Sequence, residues 1–521
     1  MKKIGKVLSI GMAAMMLLTT AGCGGKQTAE NGAVTNGEKR ETWVTEKPLT
    51  LTIHYSHSSG GPFKDDYVVF QEAAKATNVN LKGTVPLSNS EHDQSFNTMM
   101  VSGELSDIIT TRKSNFEKYA DVGAFVELDP LIEQHAPNIK KFFEENPSVK
   151  RNAQTSNGKI YFIPNVPDGE AAAGWFIRKD WLDKLNLPVP TTIEEYHDTL
   201  LAFKNGDPNG NGQADEIPFF DRGKTVKSIL ALYGIRDGWS VAEDGSVVYS
   251  KYLPEYKEAI KNVAKWYQEG LIDQEVFTRG KNAREQLFEE NVGGSLHDWF
   301  TSTTVFNDRL RETIPEFNIV AFAPPADING KAWEDTSRNT VEAYGWGIAS
   351  SNPDPVATIK YFDFWFSEEG RRLYNFGIEN QQYVMEDGKP KFKDEFIHSG
   401  KTMTNACWEN GMQLMIGAPQ DFEYEKQWMN KESQEAIDLY ENNDYILPAF
   451  PTLAFTAEEQ KVITEKWSSI YSRMVEMEQK WILGTEDIDA TYDKYINDLK
   501  GLGMEDVLRV YNSAYQRYQS N

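Results

Sequence analysis

The chain has 521 residues, of which 40% are hydrophobic and 25% charged, a balance typical of a soluble globular protein rather than a disordered or polytopic membrane protein. Its formal net charge of −24 does not attract the negatively charged phosphates of nucleic acids, which argues against nucleic-acid binding. With only 2 cysteines no disulfide framework holds the fold, whereas 13 Trp, 23 Tyr and 27 Phe supply many rings for packing or ligand contact.

The amino terminus has the pattern of a bacterial export signal. Three lysines precede an uncharged apolar run over residues 7–18, which is too short to span a bilayer comfortably but suits a signal-peptide core. Small residues then lead directly to Cys23, an arrangement that resembles the bacterial lipobox, with Thr20 in the place of the usual Leu. The resemblance implies that residues 1–22 are removed and that Cys23 becomes a lipidated amino terminus.

The stretch after this cysteine is polar and rich in Gly, Asn and Glu, and it predicts a flexible tether over residues 23–47. A chain anchored in this way would be extracytoplasmic, held by lipid on the outer face of the bacterial cell membrane. The alternative is an ordinary secretory signal with an incidental cysteine. If Cys23 is the anchor, Cys407 is the remaining thiol, and we expect it to be a small buried hydrophobic side chain.

Strand and helix patterns alternate through the rest of the chain. Apolar residues at every second position from Leu49 predict a strand, and further strands are expected around residues 105–110, 160–163, 174–177 and 317–321. Thr192 and Thr456 each precede a Glu by three residues, the pattern of a capping box at the start of a helix. This alternation predicts an α/β protein with largely parallel sheets.

Several short motifs, taken together in their order and spacing, suggest a family. These motifs lie in residues 102–109, 158–164, 175–182, 288–299, 343–348 and 357–372. Over most of residues 49–515 the sequence resembles the maltose-binding-protein class, and most of all the longer lipoprotein solute-binding proteins of sugar ABC importers, including the alginate-oligosaccharide-binding type.

The resemblance implies a periplasmic-binding-protein-like fold, in which two α/β lobes joined by a hinge enclose a cleft. Ligand closes the cleft, and the closed form docks on the transmembrane subunits of an ABC permease. We expect a monomer with one lobe formed by residues 48–170 and 298–342, and the other by residues 171–297 and 343–521.

A loop beginning at Asp207 has the residue order of an EF-hand. Oxygen-bearing side chains occupy positions one, three, five and nine, Gly212 occupies position six, and a backbone carbonyl is available at position seven, which suits Ca²⁺. Pro218 replaces the usual Glu at position twelve, and the resemblance implies that Glu216 takes over. The predicted ligands of a structural Ca²⁺ are Asp207, Asn209, Asn211, Gln213, Asp215 and Glu216. The alternative is a simple Asn/Gly/Pro turn.

Sugar binding calls for aromatic rings that stack on C–H faces and for polar groups that bind hydroxyls. Trp299 is the best candidate because it matches a segment that carries a stacking aromatic in the maltose-binding class. His297 and Asp298 beside it could bind hydroxyls. Further candidates, each with core packing as its alternative, are Trp175, Tyr344 and Trp346 at the other crossings, with Trp239 and Trp408 weaker.

Arg112 and Lys113 directly follow the predicted strand of the first lobe. An arginine that faced the cleft would suit a carboxylate, so an acidic oligosaccharide is one option for the ligand. The alternative is a pair of solvated surface side chains.

Two other functions remain open from sequence. A secreted polysaccharide-active enzyme would need a positioned acid/base pair, but the carboxylates are too numerous to single out two. The chain has no HExxH, GxSxG or P-loop pattern, so we name no catalytic residue and expect a binding protein. A binding protein that reports sugar to a sensor kinase cannot be separated from one that serves import.

Overall fold

A computed structural model describes residue 40 and residues 42–171, 173–335 and 338–520. The predicted signal peptide, Cys23 and most of the predicted tether lie outside these residues. Within the described part, no helix is both long enough and apolar enough to cross a membrane.

The strands are short and the helices occupy most of the ordered chain. The strands are Leu49–His54 (β1), Ser56–His57 (β2), Gly61–Pro62 (β3), Val79–Gly83 (β4), Ile108–Arg112 (β5), Ile163–Pro164 (β6), Ala173–Arg178 (β7), Ile217–Phe219 (β8), Trp239–Val241 (β9), Val247–Tyr249 (β10), Gly293–Trp299 (β11), Ile319–Phe322 (β12), Glu334–Asp335 (β13), Tyr344–Ile348 (β14), Tyr383–Glu386 (β15), Lys389–Phe392 (β16) and Ile446–Leu447 (β17).

The helices in chain order are Val68–Thr77 (α1), His92–Ser102 (α2), Lys113–Ala120 (α3), Asp129–His135 (α4), Pro137–Glu145 (α5), Pro147–Ala153 (α6), Lys179–Leu185 (α7), Ile193–Asn205 (α8), Lys227–Ala231 (α9), Tyr256–Gln268 (α10), Ala283–Glu289 (α11), Phe300–Leu310 (α12), Pro355–Phe364 (α13), Glu368–Phe376 (α14), Asp394–Ile397 (α15), Met403–Glu409 (α16), Phe422–Lys426 (α17), Lys431–Glu441 (α18), Ala457–Ile482 (α19), Ile488–Leu502 (α20) and Met504–Ser520 (α21).

Two sheets define two lobes. The sheet of lobe 1 has the order β4-β1-β5-β14-β6, and the sheet of lobe 2 has the order β12-β7-β11-β8. Each is surrounded by helices and has its own buried apolar cluster, which confirms the predicted two-lobe α/β architecture.

The sheets contain more antiparallel pairs than predicted. Strand β14 runs antiparallel to β5, and β7 runs antiparallel to both β11 and β12, because these strands enter their sheets after the chain has crossed from the other lobe or turned back.

The predicted lobe boundaries differ from the structure in the second half of the chain. Residues 298–342 were expected in lobe 1, but β12 pairs with β7 in the sheet of lobe 2. Residues 343–521 were all expected in lobe 2, but β14 pairs with β5 in the sheet of lobe 1. Strand pairing depends on hydrogen bonds between distant segments, and the local sequence pattern does not reveal them.

Local signals at the helix starts are largely confirmed. Helix α19 begins with a complete capping box, in which Thr456 and Glu459 each cap the other's backbone N–H. At α8, the Thr192 hydroxyl accepts a hydrogen bond from the Glu195 N–H as predicted, but the Glu195 carboxylate binds Thr191 instead of completing the capping box.

Cys407 is a free and buried thiol, as expected, and burial raises its pKa to about 12.

Candidate functional site

A cavity with a volume of about 710 Å³ lies on lobe 2. Strand β11 delivers three predicted site residues to it, His297, Asp298 and Trp299. Its partner β7 places Trp175 directly opposite His297 in the sheet. Residues that are far apart in the sequence therefore meet at one end of the lobe 2 sheet.

Trp299 has the exposure expected of a ligand-stacking ring. It ends β11 and precedes α12, and 46% of its surface is accessible, whereas most large apolar side chains of this lobe are buried. Its backbone N–H donates to the Asp298 carboxylate over 2.8 Å, which fixes the backbone that carries the ring. An exposed indole at the mouth of a polar cavity offers a flat apolar surface to a sugar ring.

Asp298 is held by two guanidinium groups. Arg222 donates to one carboxylate oxygen over 2.8 Å and Arg284 to the other over 3.0 Å, and the carboxylate is buried. Because both oxygens already accept charge-assisted hydrogen bonds, Asp298 has little capacity left for a hydroxyl. Its clearest structural role is to organise the two arginines on this wall of the cavity.

His297 is paired with Glu334, which comes from β13. The ring nitrogen Nε2 lies 2.9 Å from a Glu334 carboxylate oxygen, and the Trp175 ring packs edge-on at a centroid distance of 5.5 Å. Burial acts to lower the pKa of His297, but the Glu334 carboxylate and its hydrogen bond outweigh burial and raise the pKa above its ordinary value.

Asp221 and Glu334 were not predicted from the sequence, although both carboxylates line the cavity and are buried. Burial raises the pKa of Asp221 to about 6. No local motif marks either residue, because each reaches the cavity from a connection whose position depends on the packing of lobe 2. The other side chains that line the cavity include Lys227, Arg236, Asp237, Trp239, Lys281, Trp333, Asp335, Phe450 and Tyr471.

The remaining aromatic candidates divide into two groups. Trp175 is almost fully buried but still lines the cavity, and Trp239 lines it while stacking on Tyr511 at 3.6 Å. Trp346 does not reach it. This residue has 0% exposure and stacks on Phe362 at 4.4 Å inside the lobe 1 core, so its prediction as a ligand contact is contradicted by burial.

Tyr344 and Arg112 lie side by side in lobe 1, as register partners on β14 and β5. The Tyr344 hydroxyl donates to the Ser56 carbonyl over 3.2 Å, and its ring packs on His57. The Arg112 side chain is 62% exposed, lies 3.5 Å from Asp93 and is not part of the cavity lining. The structure thus places both on lobe 1, apart from the group around Trp299.

Lobe 1 has a smaller pocket of about 120 Å³. Its lining carries no charged side chain and consists of Ser59, Met403, Thr404, Cys407, Trp408, Gln413, Met415, Gln420, Tyr424 and Trp428. The indole Nε1 of Trp428 is buried and has no hydrogen-bond partner in the described structure. Trp408 was predicted as a weaker candidate, whereas Tyr424 and Trp428 were missed. Their spacing of four residues in an aromatic-rich stretch was the available signal.

The predicted cation loop lies between α8 and β8 in lobe 2. Asp207 accepts the backbone N–H groups of Asn211 and Gly212, each over 3.1 Å, while the side-chain amides of Asn209 and Asn211 donate to Asp215. No group of three His, Cys, Asp or Glu side chains in the described residues is arranged to hold a metal ion. The two asparagine amides would have to rotate to present their oxygens.

Glu216 provides the observation that fits a cation at this loop. Both of its carboxylate oxygens are buried and lack a hydrogen-bond partner in the described part of the chain. Burial raises the pKa of Glu216, and the nearby carboxylates of Asp215 and Asp207 raise it further. A buried carboxylate without a partner is costly, and Ca²⁺ prefers oxygen ligands of this kind. The residues therefore fit the ion predicted from the sequence.

Comparison with known proteins identifies the family. A sequence profile described as bacterial extracellular solute-binding protein matches residues 60–372, more than half of the chain. The chain belongs to this family. Its members are binding proteins, and the match agrees with the two lobes and the cavity described above.

The relatives extend the match over nearly the whole chain. It is 27% identical to the fructooligosaccharide ABC transporter substrate-binding protein FusA of Streptococcus pneumoniae, over 97% of each protein. The crystal structure of the alginate-binding protein AlgQ2 without calcium ion matches with 40% identity and a TM-score of 0.77, covering 92% of this chain and all of that one. An EF-hand mutant of S. pneumoniae FusA in complex with fructo-nystose shares the fold, with 24% identity, a TM-score of 0.69 and coverage of 91% and 100%.

Proposed function

We propose that this protein captures an oligosaccharide between its two lobes and delivers it to an ABC permease. The observation that carries the proposal is the exposed Trp299 ring at a cavity of about 710 Å³ whose walls also present buried polar groups. Cavities of roughly 300–1,000 Å³ are typical of small-molecule sites. The family, and the sugar named for FusA and for AlgQ2 in their descriptions, support a carbohydrate as the ligand.

The cavity offers both kinds of contact that a sugar needs. Trp299 supplies an exposed aromatic face, and Trp175 and Trp239 add further aromatic surface. His297 and Asp221 supply hydrogen-bonding groups that do not depend on flexible surface side chains. Because stacking is insensitive to which hydroxyls a sugar carries, we expect the polar groups to set the choice of sugar.

We propose that the uncharged pocket of lobe 1 forms the opposite wall of the cleft. Its rings, Trp408, Tyr424 and Trp428, would pack on a second part of the oligosaccharide, and the Trp428 Nε1–H could donate to an oxygen of the ligand. Tyr344 and Arg112 belong to the same lobe and would contact ligand at its edge. A ligand that touches both walls favours the closed arrangement of the lobes, which is the physical basis for delivering only loaded protein.

We also propose that the Asp207 loop binds Ca²⁺ as a structural ion. Asp207, Asn209, Asn211, Asp215 and Glu216 would hold it with side-chain oxygens, and Gln213 with its backbone carbonyl. The ion would neutralise the Glu216 carboxylate and stiffen the entry to β8, which ends just before Asp221. The descriptions of AlgQ2 and of the FusA EF-hand mutant support a cation site in proteins of this fold.

The amino terminus and the family support a proposal for the location and the partners. We propose a monomer that is exported, lipidated at Cys23 and held at the outer face of the bacterial cell membrane beside the transmembrane subunits of its permease. We infer that the ligand is bound and released unchanged. A polysaccharide-active enzyme and a sensor-kinase partner are the alternatives, and turnover of a bound oligosaccharide on prolonged incubation would favour the first.

A thermal-shift screen tests the function. The protein lacking residues 1–22 is heated with neutral and with uronate-containing oligosaccharides of two to six units, and each hit is titrated by calorimetry. We expect saturable one-to-one binding and unchanged sugar after incubation. If no oligosaccharide raises the melting temperature, or if the sugar is cleaved, the proposal fails. A pull-down of the permease subunits then separates import from sensing.

A further inference from the structure

We propose that Glu334 is a positioning residue that holds the His297 ring as a charged hydrogen-bond donor on the lobe 2 wall, so that the site binds acceptor oxygens of its ligand best while His297 is protonated. This inference rests on the proposed function and concerns the same cavity.

The geometry of the pair comes from two separate elements. His297 lies on β11, and Glu334 lies on β13, whose backbone is held by pairing with β17 and by a 2.7 Å hydrogen bond from the Glu334 N–H to the Tyr445 carbonyl. The carboxylate reaches Nε2 of His297 over 2.9 Å and is itself buried. A buried carboxylate fixed on a strand of a separate sheet orients the imidazole and determines which of its nitrogens stays available.

The second ring nitrogen remains for the ligand. The contact with Glu334 uses Nε2, which leaves Nδ1 as the other ring nitrogen, and the residue lines the cavity. Trp175 packs against the ring edge-on and restricts its rotation. When both nitrogens carry a proton, one N–H is used by Glu334 and the other can donate to a hydroxyl, a ring oxygen or a carboxylate of the sugar.

The charges around His297 determine how it titrates. Burial disfavours the imidazolium, the Glu334 carboxylate favours it, Lys227 on α9 opposes it and Asp221 after β8 favours it, and together they raise the pKa of His297. Asp298, its neighbour on β11, is neutralised by Arg222 and Arg284. Glu334 and Asp221 are the carboxylates that act on the ring, and Glu334 is the one in direct contact.

The sign of the pH dependence follows. The pKa of His297 is raised, so the charged donor is fully present below the ordinary value of about 6.5 and is lost as the pH rises through the raised value. Affinity for the sugar should therefore fall at alkaline pH. Asp221, whose pKa is about 6, becomes neutral below that pH and sets the acid limit of the optimum.

The test begins with the ligand-free protein. NMR titration of the histidine rings gives the midpoint of His297, identified as the resonance missing from His297→Asn. We expect a midpoint above about 6.5 in the wild type and one lower by about one unit or more in Glu334→Gln. Glu334→Asp keeps a carboxylate at a greater distance and should fall between them. Glu316→Gln, an exposed carboxylate outside the cavity, is the matched control and should leave the midpoint unchanged.

Calorimetry between pH 5.5 and 8.5 then follows the affinity for an oligosaccharide found in the thermal-shift screen. The affinity of the wild type should fall about fivefold or more above the His297 midpoint. In Glu334→Gln the same fall should occur at a lower pH, shifted by the same amount as its His297 midpoint. Equal His297 midpoints in Glu334→Gln and wild type overturn the inference. An affinity that does not change as the pH passes through the His297 midpoint also overturns it. Failure of all sugars to bind overturns the proposed function instead, while the midpoints still decide whether Glu334 controls His297.

Discussion

The two walls of the proposed cleft differ in chemistry. The lobe 2 wall is rich in charge, but much of that charge is held internally, with Asp298 between Arg222 and Arg284 and His297 against Glu334. The lobe 1 pocket has no charged side chain and is lined by aromatic rings, methionines and amides. Under the proposed function, the charged wall would orient the sugar through fixed polar groups, and the uncharged wall would add contact area when the lobes close.

Substitution of Trp299 should have the largest effect, because it removes the exposed ring on the charged wall. Trp299→Ala is expected to weaken oligosaccharide binding by about 30-fold or more, the range of a binding hot spot. The ring is half-exposed, so the melting temperature without ligand should change little. Calorimetry measures the affinity, and Trp299→Phe, which keeps an aromatic face, should retain most of it. Equal affinities of Trp299→Ala and wild type would remove this ring from the site.

Calcium should act on the charged wall, through the loop before β8. Saturating Ca²⁺ is expected to stabilise the protein by about 2–3 kcal/mol at roughly 100 times its dissociation constant. A chelator should therefore lower the melting temperature by several degrees, and Asp207→Ala, which loses a predicted ligand, should no longer respond to it. The measurement is differential scanning calorimetry with and without the chelator. An identical melting temperature under both conditions would contradict a structural ion.

Loss of a ring from the uncharged wall should have a smaller effect. Trp428→Ala removes one aromatic face and one unpaired indole donor, and we expect roughly five- to tenfold weaker binding, or about 1 kcal/mol. Trp428→Phe separates the two contributions, since it keeps a ring but not the Nε1–H. An effect larger than that of Trp299→Ala would reverse the proposed division between the walls.

Arg112 should matter least. It lies outside the cavity lining and next to Asp93, so Arg112→Gln is expected to change the affinity for neutral and acidic oligosaccharides by less than about threefold, in line with an exposed ion pair. Calorimetry on one sugar of each kind measures this. A selective tenfold loss for the acidic sugar would instead show that the arginine binds a ligand carboxylate.

The sequence predicts the overall fold of the molecule better than the surroundings of individual side chains. The two-lobe α/β fold, the capped start of α19 and the placement of Trp299 follow from local patterns and from ordered motifs. Trp346 lies in a motif of the same kind, yet it packs in the lobe 1 core. The two tryptophans cannot be separated by sequence, because which face of a strand meets solvent depends on what covers the sheet.

The residues that were missed reach the site through tertiary packing. Glu334 is held beside His297 by the pairing of β13 with β17, which are more than 100 residues apart. Tyr424 and Trp428 lie on and after the short helix α17, where no clear periodicity distinguishes a pocket from a core. The same dependence on distant pairing explains why β12 and β14 were assigned to the wrong lobes.

Hydrogen–deuterium exchange with and without a bound oligosaccharide tests the central claim, that both walls hold one ligand. We expect protection to rise together in the segment 293–300, which carries Trp299, and in the segment 420–430, which carries Tyr424 and Trp428. Helix α20, which contributes no residue to the lining of either pocket, should stay unchanged. Protection confined to one wall, or absent from both despite saturating sugar, would contradict a cleft that closes around its ligand.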